Sequence, residues 1–195
     1  MVVSIGSGSP AEKRKTNMPA KPTSISDLWS ALPDLAAEAR TRSLEFEERR
    51  KLAPNFVDKL SRAGVFKILV PGDAGGLAGS LPQWLEIIMT LAEADASTGW
   101  VSAHGNICAG LIYASAEPRF RDEFFADPNA YAAWSNLPRV KVRELDNGIR
   151  IAGSWGFESG CTAATFVGGM VILSPLVDEG PPRMLVTLAP WMRRQ

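Results

Sequence analysis

Arg139-Val140-Lys141-Val142-Arg143-Glu144-Leu145 and Ile149-Arg150-Ile151-Ala152-Gly153-Ser154-Trp155 flank the triplet Asp146-Asn147-Gly148. Apolar and charged residues alternate from Val140 to Arg143 and again from Ile149 to Ile151, the period of a strand with one face on a core. Asn-Gly supplies the left-handed backbone that a two-residue hairpin requires. The stretch therefore reads as two antiparallel strands. Working outward, Tyr131 to Asn136 precedes it, and Phe166 to Leu173 and Arg183 to Leu188 follow, each a short run of strand texture.

Upstream the period becomes helical. Ser26 reads as an N-cap before Asp27-Leu28-Trp29, and Leu32, Leu35, Ala36 and Ala39 recur at helical spacing before the charged surface of Arg40 to Lys51. Pro54 opens a second amphipathic helix with Phe56, Val57, Leu60 and Ala63 on one face, and Gly64 stops it, giving a helical hairpin. Val65 to Pro71 is a short apolar segment. Gly72-Asp73-Ala74-Gly75-Gly76-Leu77 then reads as a turn, because it lacks the Lys of a phosphate loop and the spacing of a dinucleotide fingerprint. Two helices expected to be buried follow, one from Leu81-Pro82-Gln83-Trp84 through Ala94 and one capped by Ser97-Thr98 that runs to Ala114. The Ala116-Glu117-Pro118 break and a short helix around Phe120 to Phe125 close this half.

Helices first and strands second, without alternation, define an α+β chain rather than a parallel α/β sheet. Residues 24–128 are expected to form a helical domain and residues 129–195 a β-domain. Residues 1–23, rich in Ser, Gly, Pro and Lys, are expected to be disordered, with Met18 an alternative start to Met1. Trp191-Met192-Arg193-Arg194-Gln195 does not read as the end of a finished β-domain, so the chain is expected to be truncated there.

Composition narrows the function. At 195 residues, 46% hydrophobic and 22% charged, the chain is long enough for a globular core. Lys plus Arg and Asp plus Glu each number 21, so bulk charge favours neither nucleic acid nor an anionic membrane. No apolar run reaches the length of a membrane span, and Met1 to Ser9 has no export-signal pattern. Two cysteines, Cys108 and Cys161, in unrelated contexts suit free thiols in the cytoplasm. With His104 they lack the paired spacing of a zinc site, so no metal is expected.

Gly153-Ser154-Trp155-Gly156-Phe157-Glu158-Ser159-Gly160-Cys161 is the stretch richest in chemistry. On a strand Trp155, Phe157 and Ser159 share one face, giving rings to stack and a hydroxyl to hydrogen-bond, as a tricyclic, polar-edged ligand needs. Ordinary strand packing gives the same alternation. A serine nucleophile is not indicated, since Glu158-Ser159-Gly160 lacks the Gly-x-Ser-x-Gly elbow. Trp100, His104 and Cys108, spaced i, i+4, i+8, would share a helix face that looks either into a substrate cavity or into the core.

Three segments together resemble the acyl-CoA dehydrogenase superfamily, most closely its flavin-dependent monooxygenase branch. They are Ala63 to Pro71 with Gly75-Gly76-Leu77, then Ala94-Asp95-Ala96-Ser97-Thr98-Gly99-Trp100, then Gly153 to Cys161. The resemblance covers about Leu35 to Leu188. It implies a helical domain followed by an incomplete, antiparallel, barrel-like β-domain, with a flavin (FMN or FAD) as cofactor. It further implies that Phe157 flanks the isoalloxazine ring and Ser159 lies near its N5. Trp134-Ser135-Asn136-Leu137-Pro138 would meet the other side of the ring, with Ser135 at the pyrimidine edge. Trp100, His104 and Cys108 would border the substrate, with His104 and Ser159 as the catalytic candidates. In the hydroxylases of the branch a histidine lies two turns after the tryptophan, where this chain has Cys108.

The implied activity is that of the oxygenase component of a two-component monooxygenase. A separate reductase would supply reduced flavin, which with oxygen hydroxylates a small organic substrate. Dehydrogenation of an acyl thioester is the alternative within enzymes. A non-catalytic remnant, or one half of a split enzyme, is the alternative outside them. The resemblance further implies a second helical bundle, which in the superfamily forms a tetramer interface, and the chain is expected to be truncated before it.

Overall fold

Ser24 starts the first helix. In the computed structural model, which describes residues 24–137, 140–145, 148–173 and 183–190, its hydroxyl accepts from the Asp27 amide at 3.3 Å. The Asp27 carboxylate in return accepts from the Ser24 amide at 3.1 Å. This reciprocal capping box takes the role expected of Ser26, which lies inside the helix. Residues 1–23, Pro138, Arg139, Asp146, Asn147 and the terminal 191–195 lie outside the described residues.

The helices are α1 (Ile25–Arg49), α2 (Pro54–Arg62), α3 (Leu81–Ala94), α4 (Ala96–Ser115) and α5 (Pro118–Ala126). Helix α1 buries Leu28, Leu32, Leu35, Ala39 and Phe46, one apolar stripe at helical spacing, and packs on α3. Helix α2 meets α1 through the stacked rings of Phe46 and Phe56 and through the Lys59–Glu38 ion pair. Asp95, rather than Ser97-Thr98, caps α4, because its carboxylate accepts from both the amide and the hydroxyl of Thr98. Between α2 and α3 the glycine-rich segment folds back on residues 67–70. Amides of Leu77, Ala78 and Gly79 bond the carbonyls of Lys67, Val70 and Ile68, while those of Gly75 and Gly76 bond Gly72 and Pro71. Those donors are spent on the protein, in keeping with a turn rather than a phosphate cradle.

Strands β1 (Ala132–Ser135), β2 (Val140–Leu145), β3 (Gly148–Gly153), β4 (Phe166–Leu173) and β5 (Arg183–Pro190) follow. β2 and β3 pair antiparallel as the alternation predicts, with Val142 opposite Ile151. β1 pairs parallel to β4, Trp134 opposite Gly168, and β4 pairs antiparallel to β5. The β-domain is thus mixed rather than purely antiparallel, and among the described residues it forms two sheets, not a closed barrel.

β1 is the junction between the two halves. All four of its residues are buried and it packs on α4. Tyr131, just before it, stacks on Phe66 with ring centroids 4.4 Å apart. Asn106 of α4 accepts from the Ile68 amide at 2.9 Å and donates to the carbonyls of Val65 and Ser102. A buried polar group with three partners fixes α4 against the segment before α3. Lys67 is also buried, donating to the Asp127 carbonyl at 2.9 Å beside the rings of Phe124 and Phe125. The expectation that α3 and α4 are buried holds for one face of each. Leu81, Leu85 and Met89 of α3, and Trp100, Ile107 and Leu111 of α4, stand exposed.

Candidate functional site

The site begins where β3 ends. Strand geometry stops at Gly153, and residues 154–158 run as irregular chain into the turn at 159–163. Phe157 holds a left-handed φ of 58°, and its residue surface is 88% exposed. The even alternation expected through Trp155, Phe157 and Ser159 therefore does not occur. Trp155 turns onto β4, where Gly169 leaves room for the indole, and its Nε1 donates to the Met170 carbonyl at 3.2 Å. Phe157 and Ser159 face away from it into a groove.

Side chains rather than a ladder hold this loop in place. Ser135 Oγ donates to the Gly156 carbonyl at 2.8 Å, and Tyr131 Oη donates to the Ser159 carbonyl at 3.3 Å. The Gly168 amide donates to Glu158 Oε1 at 3.0 Å. Trp100 Nε1, on α4, donates to Ser159 Oγ at 2.9 Å. Gly160 has φ 81°, and a β-carbon there would collide with the Tyr131 hydroxyl, so the close approach of ring to loop requires glycine.

The groove has a volume of about 650 Å³. Phe46, Leu52 and Val101 supply apolar wall, Trp100, Phe157 and Ser159 one side, and Arg50 and Lys51 a basic edge. Helix α1 contributes through its C-terminal turn, which ends with Arg50 in left-handed conformation.

His104, Cys108, Trp134 and Ser135 form a second cluster behind the loop. Cys108 is fully buried, its Sγ 3.6 Å from His104 Nδ1, and both side chains bond the main chain of Trp134. Burial pushes the thiol up to about 12, so it keeps its proton at neutral pH. Burial likewise lowers the His104 imidazole below its ordinary range, opposed by the bond to Trp134, which leaves the ring neutral. Trp134 and Ser135 are buried, Trp134 Nε1 donating to Asn136 Oδ1 at 3.1 Å. The stripe Trp100, His104, Cys108 thus splits between groove and core.

The structure brings Trp100, Phe157 and Ser159 together on the groove. It joins His104, Cys108 and Trp134 behind it, and ties Ser135 to the loop from below. Sequence reasoning passed over Tyr131 and Glu158 as parts of the site. A carboxylate set in a stretch of glycine, aromatic and hydroxyl residues was the available signal for Glu158. Nothing local distinguishes Tyr131, whose part depends on the parallel β1–β4 pairing.

Helices ahead of a mixed sheet, with a side-chain-pinned loop at their junction, define an acyl-CoA dehydrogenase-like chain. Residues 31–127 match the family described as "Acyl-CoA dehydrogenase, N-terminal domain". The protein belongs to the acyl-CoA dehydrogenase superfamily, and the relatives that it resembles there are oxygenase components of flavin-dependent monooxygenases. Indole-3-acetate monooxygenase of Acinetobacter baumannii is 33% identical over 160 residues, 80% of this chain and 40% of that protein. The flavin-dependent monooxygenase oxygenase subunit HsaA of Mycobacterium tuberculosis is 32% identical over 158 residues, 80% of this chain and 39% of that protein. A crystal structure of the same enzyme superposes with a TM-score of 0.73 over 86% of this chain and 43% of that one, at 29% identity. The oxygenase component of an FADH(2)-dependent resorcinol hydroxylase from a Rhizobium species is 30% identical over 142 residues, 73% of this chain and 35% of that protein. The chain spans about 40% of the length of the first of these relatives.

Proposed function

We propose that this chain is the part of a two-component monooxygenase that holds reduced flavin against the loop carrying Phe157 and Ser159, for hydroxylation of a small aromatic substrate. The observation that carries the reading is Phe157 itself. An exposed phenyl ring in left-handed backbone, beside an indole and a hydroxyl in one groove, is a surface that a flat ring would cover. Packing of the protein's own core gives no reason for it.

The residues fit a flavin by their hydrogen-bonding roles. Trp100 donates into one lone pair of Ser159 Oγ, so the Ser159 proton is left to point at a ring nitrogen. Ser135, buried beneath the loop, spends its proton on the Gly156 carbonyl and one lone pair on the Leu137 amide, and so sets the height of the backbone that carries Phe157. Phe157 and Trp100 offer faces for stacking, and Phe46 and Leu52 keep water from that wall. Bound reduced flavin supplies the activation of oxygen, and the protein orients and shields it. His104, neutral at neutral pH and set against Cys108 and Trp134, orders β1 beneath the site; the protonated Cys108 thiol is no base for a phenol at neutral pH.

Three further assignments rest on the relatives and the surface. An oxygenase component implies a separate flavin reductase, as for the resorcinol hydroxylase. Two free thiols and no described helix able to cross a membrane suit the cytoplasm. A second reading, in which the chain works with further helices from another copy or another chain, is favoured by the apolar row Leu81, Leu85 and Met89 on α3. The test of function supplies NADH, a flavin reductase, oxygen and a panel of phenols and indoles to the full chain, alone and co-expressed with a C-terminal helical segment of a relative. Hydroxylated product in either arm, lost in Ser159→Ala, supports the proposal; uncoupled oxygen consumption without product in both opposes it.

A further inference from the structure

Of the four side-chain bonds that hold the loop carrying the site, one is made by a carboxylate, Glu158, that has no ion-pair partner among the described residues. Glu158 is half-buried between Phe157 and Ser159, and its Oε1 accepts from the buried Gly168 amide of β4 at 3.0 Å. Among the described residues no ion pair reaches it. The titratable groups nearest to it are the thiols of Cys108 and Cys161 and the phenol of Tyr131, which its charge, after their burial, helps to hold protonated. Glu47, Arg50 and Lys51 line the same groove without bonding it. Placing a carboxylate where no cation compensates it is unfavourable, and such a group is retained where it does something that a neutral apolar residue cannot.

We propose that Glu158 is a positioning residue, a clamp from the loop to β4 that sets Phe157 and Ser159 at the spacing the flavin ring requires; this rests on the flavin reading above. The geometry supports one specific action. Gly168 lies opposite Trp134 in the parallel β1–β4 register, so the carboxylate anchors the loop to β4 directly alongside the β1 residues Trp134 and Ser135. Phe157, one residue before the clamp, must take left-handed φ to turn its ring outward, and Ser159, one residue after, meets Trp100. Without the clamp, the backbone between Gly156 and Ser159 loses the one side-chain bond to β4 that it makes among the described residues, and the strained φ at Phe157 can relax.

Burial raises the Glu158 carboxyl above its ordinary range, opposed by the Gly168 bond. The folded chain therefore binds this proton more tightly than the unfolded one, and stability falls as pH rises from the ordinary carboxylate value through the folded one. Glu158→Gln keeps the acceptor and removes that charge. It is expected to be at least as stable as the wild type at neutral pH, with the difference vanishing in acid.

The experiment compares full-length wild type, Glu158→Gln and Glu158→Ala by amide hydrogen exchange and by titration with oxidised and reduced FMN and FAD. The clamp predicts that Glu158→Ala speeds exchange of the Gly168 amide by at least about tenfold and weakens flavin by a similar factor, while Glu158→Gln restores both. Unchanged Gly168 protection in Glu158→Ala, or Glu158→Gln behaving as Glu158→Ala, overturns it. So does a wild-type flavin affinity that Glu158→Ala leaves intact. If the wild type binds neither flavin in either redox state, the flavin reading fails and the positioning role falls with it, whereas the exchange arm still shows whether Glu158 holds the loop.

Discussion

Trp100 Nε1 and Ser159 Oγ lie 2.9 Å apart, one on helix α4 and the other on the loop after β3, 59 residues along the chain. This bond joins the helical half to the β half at the surface of the groove. Because the indole can only donate, the bond occupies one lone pair of the serine and leaves its proton free to donate to whatever occupies the groove. Trp100→Phe and Ser159→Ala each remove one partner. A double-mutant cycle by urea unfolding is expected to give a coupling of about 0.5–1.5 kcal/mol, the range of a single hydrogen bond, toward the low end for an exposed pair. Additive single effects would show that the pair does not couple in solution.

Gly160→Ala should be the most damaging single-methyl change in the loop. The position has φ 81°, and the new carbon meets the Tyr131 hydroxyl, which anchors the Ser159 carbonyl. Together these should cost about 1–3 kcal/mol, read as a fall in urea midpoint without change in slope. Tyr131→Phe, which keeps the stacking on Phe66 and removes the hydroxyl, should partly rescue it.

Thiol labelling separates the two cysteines. Cys108 is fully buried with its pKa raised to about 12, so native protein should leave it unmodified by iodoacetamide at pH 8. Cys161, half-buried on the groove and less strongly shifted, should label slowly, and added flavin should slow it further. Peptide mapping distinguishes the sites. Rapid native modification of Cys108 would contradict the packed cluster with His104 and Trp134.

Much of the fold was legible because it is local. Capping serines, Pro54, the glycine after α2 and the alternation of β2 and β3 each act over a few residues, so element order and type followed from the sequence. Boundaries moved where two candidates for the same task lay close together, as with Ser24 and Ser26, or Asp95 and Ser97-Thr98. What could not be read was non-local. Whether β1 pairs parallel or antiparallel to β4 depends on a connection of about thirty residues, not on the four residues Ala132 to Ser135. The strand through Trp155 failed for a related reason. Glycine at 153 released the chain, and bonds from Trp100, Tyr131, Ser135 and Gly168, all distant in sequence, set its path. Phe157 and Ser159 do meet on one groove, by way of a loop and not of the strand face that the alternation predicts.

Acid should weaken the folded chain through His104. Its imidazole holds a proton less tightly when folded than when unfolded, so its contribution is present above its ordinary value of 6.5 and is lost as pH falls through the folded one. Unfolding midpoints measured from pH 8 to pH 5 should fall for the wild type and fall less for His104→Gln. A parallel decline in both would place the acid sensitivity elsewhere.

The central claim is that the groove beside Phe157 and Ser159 holds a flavin. Equilibrium titration of the full chain with oxidised and with reduced FMN and FAD, followed by absorbance and flavin fluorescence, tests it most directly. The account predicts saturable one-site binding in at least one redox state, weakened about tenfold or more, roughly 1.4 kcal/mol, by Phe157→Ala and by Ser159→Ala. Binding to neither flavin in either state, or binding that both substitutions leave unchanged, would contradict it.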